Sequence, residues 1–104
     1  MMLFDGKKLK DGSKIIANCI ENIKSTVVYK GAENLTPLFN IRRKSFIYGG
    51  LGTLQAIATV RGDKVYHGMS HDNVLTTIAS VDKAIEGPSG TTKVALWLAT
   101  QQEA

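Results

Sequence analysis

The sequence predicts an α+β domain: a mainly antiparallel sheet of about five strands with two helices packed on it, in the order α-β-β-β-β-α-β. Three observations lead there. Apolar residues recur at helical spacing in two stretches, 13–23 and 70–85. Between and after these lie segments rich in β-branched and aromatic residues that end at glycines. The 104 residues contain neither a linker nor an internal repeat, so 1–104 reads as a single domain.

Residues 1–12 read as an irregular or short extended lead with two Asp/Gly turns. From Ser13, the residues Ile15, Ile16, Cys19, Ile20 and Ile23 form one helical stripe, with Asp11 or Ser13 as N-cap. The high β-branched content supports a rival reading, a hairpin of 14–20 and 23–30 around Glu21-Asn22. Thr26–Lys30 is a strand, and Gly31–Pro37 a polar connection. Leu38–Tyr48 reads as one strand with Phe39, Ile41, Arg43, Ser45 and Ile47 on one face. Leu38, Asn40, Arg42, Lys44, Phe46 and Tyr48 take the other, and Gly49-Gly-Leu-Gly52 ends it. Thr53–Arg61 and Lys64–His67 follow, joined by Gly62-Asp63 in a tight primed turn.

Ser70 caps the second helix, with Asp72 in its first turn and Val74, Leu75, Ile78, Val81 and Ile85 as its buried stripe. Gly87-Pro88 stops it. Thr91–Thr100 is the last strand, Val94, Leu96 and Leu98 opposing Lys93, Ala95 and Trp97. Both of its faces are largely apolar, which predicts burial by self-association into a homo-oligomer.

Composition narrows the function. A hydrophobic content of 43% is ordinary for a globular chain, and no apolar run reaches membrane-spanning length. The opening MMLFDGKKLKDG lacks the apolar core of a secretory signal, and the lone Cys19 has no intrachain disulfide partner. A cytoplasmic protein with no membrane contact is expected. Net charge is +4, but it is unevenly spread: residues 1–64 carry 11 Lys/Arg against 5 Asp/Glu. That asymmetry suits an anionic partner or a solvated face.

The candidate chemistry centres on Arg42-Arg43-Lys44. Arginine forks grip phosphate bidentately, and lysine adds a point charge. Phe46, Tyr48 and Tyr66 supply rings on which a nucleobase could stack. Gly49 and its neighbours lack the Gly-Lys-Ser/Thr of a phosphate loop, yet allow close approach to the backbone. Two adjacent arginines on opposite strand faces imply two environments, one of them a second surface such as a subunit contact. A charged edge strand shielded from unwanted pairing explains the same residues. His67 and His71 flank the second helix and could shuttle protons, which leaves a small enzyme as one alternative; no nucleophile has a spacing that forces it beside them. Their spacing matches no zinc pattern, and no cofactor is expected. Arg61-Gly-Asp63 is the hairpin turn itself.

Four segments, FNIRRKSFIYGGLGTLQAIATV, RGDKVYHG, SHDNVL and TKVALWLA, together resemble the first family of phage Thoeris anti-defence proteins. The resemblance spans roughly residues 38–100. It implies a non-catalytic sponge that sequesters cyclic ADP-ribose-type signals made by TIR-domain immune proteins. It also implies a homo-oligomer whose pockets near protomer contacts are built from arginine, aromatic and asparagine side chains. Arg42, Arg43, Tyr48, Tyr66 and Asn73 are residues of those types here. The expected function is therefore sequestration of a small anionic nucleotide in the host cytoplasm. Lys44, Gly49, His67 and His71 complete the candidate site; a small single-stranded nucleic-acid-binding module is the other alternative.

Overall fold

β-branched and aromatic residues dominate far more of the chain than the helical stripes suggest, and the computed structural model is correspondingly strand-rich. It describes residues 2–23 and 25–102. Nine strands follow one another as an antiparallel meander, each paired with the next. They are β1 (Met2–Phe4), β2 (Lys8–Asp11), β3 (Lys14–Glu21), β4 (Ser25–Lys30) and β5 (Pro37–Arg42), then β6 (Phe46–Gly49), β7 (Ala56–Arg61), β8 (Lys64–His67) and β9 (Val74–Thr77). The short helix α1 (Ile78–Ala84) leads into β10 (Ile85–Glu86), which returns to pair parallel with β1. Helix α2 (Thr91–Gln102) completes the described chain.

This connectivity dictates the shape. Ten strands laid flat would span roughly 43 Å at the usual strand spacing. Yet β9 and β10, the two edges, are joined by a seven-residue helix that reaches only about 10 Å. The sheet must curl until its edges approach each other across α1. Inside the curl lies α2, against β3, β4, β5 and α1. Val94, Ala95 and Leu96 of α2 are fully buried against Phe4, Leu9, Ala17, Val28, Phe39, Ile47, Ala58 and Val65 from the inner sheet face, and Val81 and Ile85 close the core. Lys93 is also buried, at 2% exposure. Its ammonium donates to Asp82 Oδ1 at 3.1 Å and to the Gly87 carbonyl at 3.0 Å, fastening α2 to α1 and to the intervening turn. That turn passes so close to β1 that a Cβ at Gly87 would overlap the Phe4 carbonyl.

The predicted five-stranded sheet with helices packed on it is therefore corrected to a ten-stranded mixed sheet curled around one helix. Five segments account for the change, one of them 38–48, which is two strands, β5 and β6, and not one. The lead contains β1 and β2. Residues 13–23 are not a helix; of the two readings of 14–30, the hairpin is the one found, with Glu21 opposite Thr26. A register shift between Leu9 and Lys10 leaves Ile16 as an extra residue in β3, so Ile15, Ile16 and Ala17 break strict alternation and mimic a helical stripe. The helix placed at Ser70 begins only at Ile78: residues 70–73 turn, β9 intervenes, and the Thr77 hydroxyl caps α1 by accepting from the Ser80 amide at 3.2 Å. Thr91–Thr100 is helix rather than strand, because a segment apolar nearly all round suits a buried helix equally well. Its apolar faces are covered within the chain, which removes the sequence argument for self-association.

Candidate functional site

The predicted strand 38–48 is in fact the β5–β6 hairpin, and Arg43-Lys44 are its turn. Both residues take left-handed backbone, with φ of 54° and 59°, and they are the only non-glycine residues with positive φ among those described. The turn closed by Arg42 and Ser45 thus has two left-handed central residues, and Ser45 completes the three-residue connection between the paired Arg42 and Phe46. Such positions favour Asn-Gly, because side-chain-bearing residues are strained there by about 1–3 kcal/mol each. Surrounding bonds hold the conformation. Ser45 donates its amide to the Arg42 carbonyl at 3.2 Å, Val60 donates to the Ser45 carbonyl at 2.8 Å, and the Thr91 hydroxyl donates to the Lys44 carbonyl at 2.5 Å. The last bond ties the turn to the first residue of α2.

Beside that contact lies a cleft of two adjoining hollows. The larger, about 640 Å³, is lined by Arg43, Lys44, Ser25, Thr26 and the Gly90-Thr91-Thr92 start of α2. The smaller, about 460 Å³, shares Glu21, Thr26 and Thr92 and extends to Gly6, Lys7 and Cys19. The first intrahelical bond of α2 runs from the Val94 amide to the Gly90 carbonyl at 3.2 Å, so the preceding amides lack helical partners. The first turn of α2 contains no acidic residue. Cations and a helix N-terminus therefore face the same space, with Glu21 the one carboxylate among its described lining residues.

Burial pushes the Cys19 thiol up to about 12, with the nearby Asp5 charge adding to the effect. Such a shift favours the protonated thiol, the less nucleophilic form, at neutral pH.

The remaining candidates lie elsewhere. Arg42 is on the outer face of the sheet, its Nε donating to Asn40 Oδ1 at 3.1 Å. Asn40 in turn donates to the carbonyls of Gly50 and Gly52 at 3.0 and 2.8 Å, pinning the glycine loop across that face. Tyr48 and Tyr66 are outer-face residues too, and Gly49 ends β6, where a Cβ would press on the Ile57 side chain at 3.1 Å. His67 ends β8 and is exposed; His71 and Asn73 belong to the 68–73 turn, where the Ser70 hydroxyl accepts from the Asn73 amide at 2.9 Å. Only Arg43 and Lys44 of the nine candidates line the cleft. Thr26, Thr91 and Thr92 were missed, since no local pattern reveals a hydroxyl brought to a helix start by a distant hairpin. Asn40 was legible in principle as a polar residue between Phe39 and Ile41.

Among the described residues no cluster of three or more His, Cys, Asp or Glu could hold a metal ion, and no helix is long and apolar enough to cross a membrane. Set against protein-family models, curated proteins and solved structures, the chain matches none of them.

Proposed function

We propose that this chain binds a small phosphate-bearing ligand of the nucleotide class, without turning it over, in the cleft at the start of α2. One observation carries the reading: two cations occupy the strained left-handed turn, anchored to the helix start that they face across the larger hollow. Backbone strain of this sort persists where the surroundings enforce it, and it concentrates at ligand sites. The hydroxyls of Thr26 and Thr92 add neutral donors, and the volume suits a small ligand. Binding without chemistry is supported by the protonated state of Cys19 and by the position of both histidines outside the lining. Ile23, also in the lining, is fully exposed at 104%, and a second copy closing over it belongs to the same proposal.

Calorimetric titration with cyclic ADP-ribose, and with ATP as an uncyclised comparison, tests this. Saturable heat is expected with at least one of them, and the ligand should be recovered chemically unchanged after the protein is denatured. Lys44→Ala should weaken binding about ten- to more than a hundredfold, the worth of one hydrogen bond to a charged group. No saturable binding, or equal affinity in the variant, overturns the site.

A further inference from the structure

We infer that the outer face of the sheet across β5–β8 is a second binding surface, separate from the cleft, that takes single-stranded nucleic acid. Register places Arg42 opposite Phe46, Phe46 opposite Thr59, and Thr59 opposite Tyr66, so these four residues share the outer face of four strands. Thr59 itself is buried beneath Gly68 and Met69, its hydroxyl donating to the Gly68 carbonyl at 2.6 Å, so the two rings flank that segment. Arg61 and Lys64 face each other at the adjoining turn on the same side. Phe46 belongs neither to the core cluster nor to the apolar residues packed on it. The rings of Phe46 and Tyr66 stand two strands apart, roughly 10 Å, too far to stack on each other. The Arg61 guanidinium lies over the Tyr66 ring at 5.3 Å from its centroid and is fixed there by the Ser70 carbonyl at 2.8 Å. Its planar group covers one face of that ring and offers its own plane in exchange, since bases stack on guanidinium planes as on aromatic faces.

Charge selects the occupant. Strands β4 to β9 contain no carboxylate; between Ser25 and Thr77 the acidic residues are Glu33, Asp63 and Asp72, all in connections. The face thus carries two rings set among three cations with no acidic strand neighbour. A second copy docked face to face would bring those cations against their own counterparts, whereas a phosphate backbone is complementary to them and its bases need flat surfaces. Nothing in this depends on the cleft.

Fluorescence anisotropy of the full chain with a labelled oligodeoxythymidylate of about twelve nucleotides is the test. Binding that weakens with salt is expected. Phe46→Leu and Tyr66→Leu keep apolar bulk but lose the flat ring, and each should cost about five- to a hundredfold in affinity, while Tyr66→Phe binds as the parent does. Joint Arg42→Gln and Lys64→Gln substitution should reduce the slope of log affinity against log salt by about 1.4. Thermal melts confirm that each variant is folded, and if one of the leucine variants is not, the other decides. Three results overturn the inference: no binding at low salt, binding indifferent to the ring losses, or a loss on Lys44→Ala equal to that on Phe46→Leu, which would put the oligonucleotide in the cleft. Concentration-dependent self-association abolished by Phe46→Leu would also overturn it, by assigning the face to a second copy.

Discussion

Two hairpin turns of the same sheet solve one geometric problem in different ways. Between β7 and β8 the turn is Gly62-Asp63, with the positive φ of 61° assigned to the glycine and Arg61 paired to Lys64 across it. Between β5 and β6 the left-handed positions go to Arg43 and Lys44, the least relaxed choice for that backbone. The first turn gives its left-handed position to a glycine, which is unstrained there. The second keeps two cations where folding would prefer Asn-Gly, and it is the one bonded to the start of α2. Strain is retained at the turn that lines the cleft and relieved at the one that does not.

Making the second turn like the first should have the largest effect. The double substitution Arg43→Asn, Lys44→Gly relieves left-handed strain, so the melting temperature should rise, by an amount corresponding to about 1–2 kcal/mol. Cleft affinity should fall about tenfold to more than a hundredfold in the same protein. Lower stability, or unchanged affinity, would break the comparison. The reverse experiment is smaller. Gly62→Ala puts a side chain at φ 61° and should destabilise by about 1–2 kcal/mol without changing ligand affinity. A binding defect there would mean that the two turns do not differ in role.

The smallest effect concerns the turn at the far side of the smaller hollow. The Asp5 carboxylate accepts from the Lys8 and Lys7 amides at 2.8 and 3.0 Å, and these bonds, Lys8 first, hold its pKa below the ordinary 3.8. Since the folded value is depressed, Asp5 contributes stability that is complete above the unfolded value and disappears as pH falls through the lower folded one. Asp5→Asn should flatten the acid limb of the stability–pH curve slightly and leave neutral-pH affinity alone. An unchanged acid limb would show that the carboxylate is not what orders this turn.

What could be read in the sequence follows the same division between relaxed and strained elements. Gly62-Asp63 was legible as a primed turn because glycine announces positive φ. Arg43-Lys44 was not, because neither residue type announces positive φ; the polar run from Arg42 to Ser45 between Ile41 and Phe46 was the local sign of a break. The three adjacent cations did mark the right neighbourhood, but the strand reading gave their side chains the wrong geometry: Arg42 lies on the outer face while Arg43 and Lys44 line the cleft. The stripe of isoleucines from Ile15 was helical in spacing only because a bulge adds Ile16 to β3. The apolar run Val94–Ala99 carries both periodicities, and tertiary burial inside the curled sheet decides for helix. Tyr66, His67, His71 and Asn73 are close in sequence and were all candidates. The structure separates them: Tyr66 is on the outer face, His67 lies opposite Ala58 on the other face at the end of β8, and His71 and Asn73 are in the 68–73 turn.

The parallel pairing of β1 with β10 sets Met2 beside Ile85 and Leu3 beside Glu86. Nearest-neighbour hairpins can form early and locally, but this one seam must wait until residues 85–86 have been synthesised. Until then β1 exposes an unpaired backbone edge and the interior that α2 will fill is open. Non-local closure of this kind slows folding, because loop entropy is lost before the contact repays it. The meander therefore grows as a sequence of cheap steps that ends in one slow, all-or-none zipping event. A nascent chain halted before residue 85 would have most of its hairpins and none of its finished core, which makes that interval the one in which a chaperone, or a neighbouring copy of the same edge, has most opportunity to intervene.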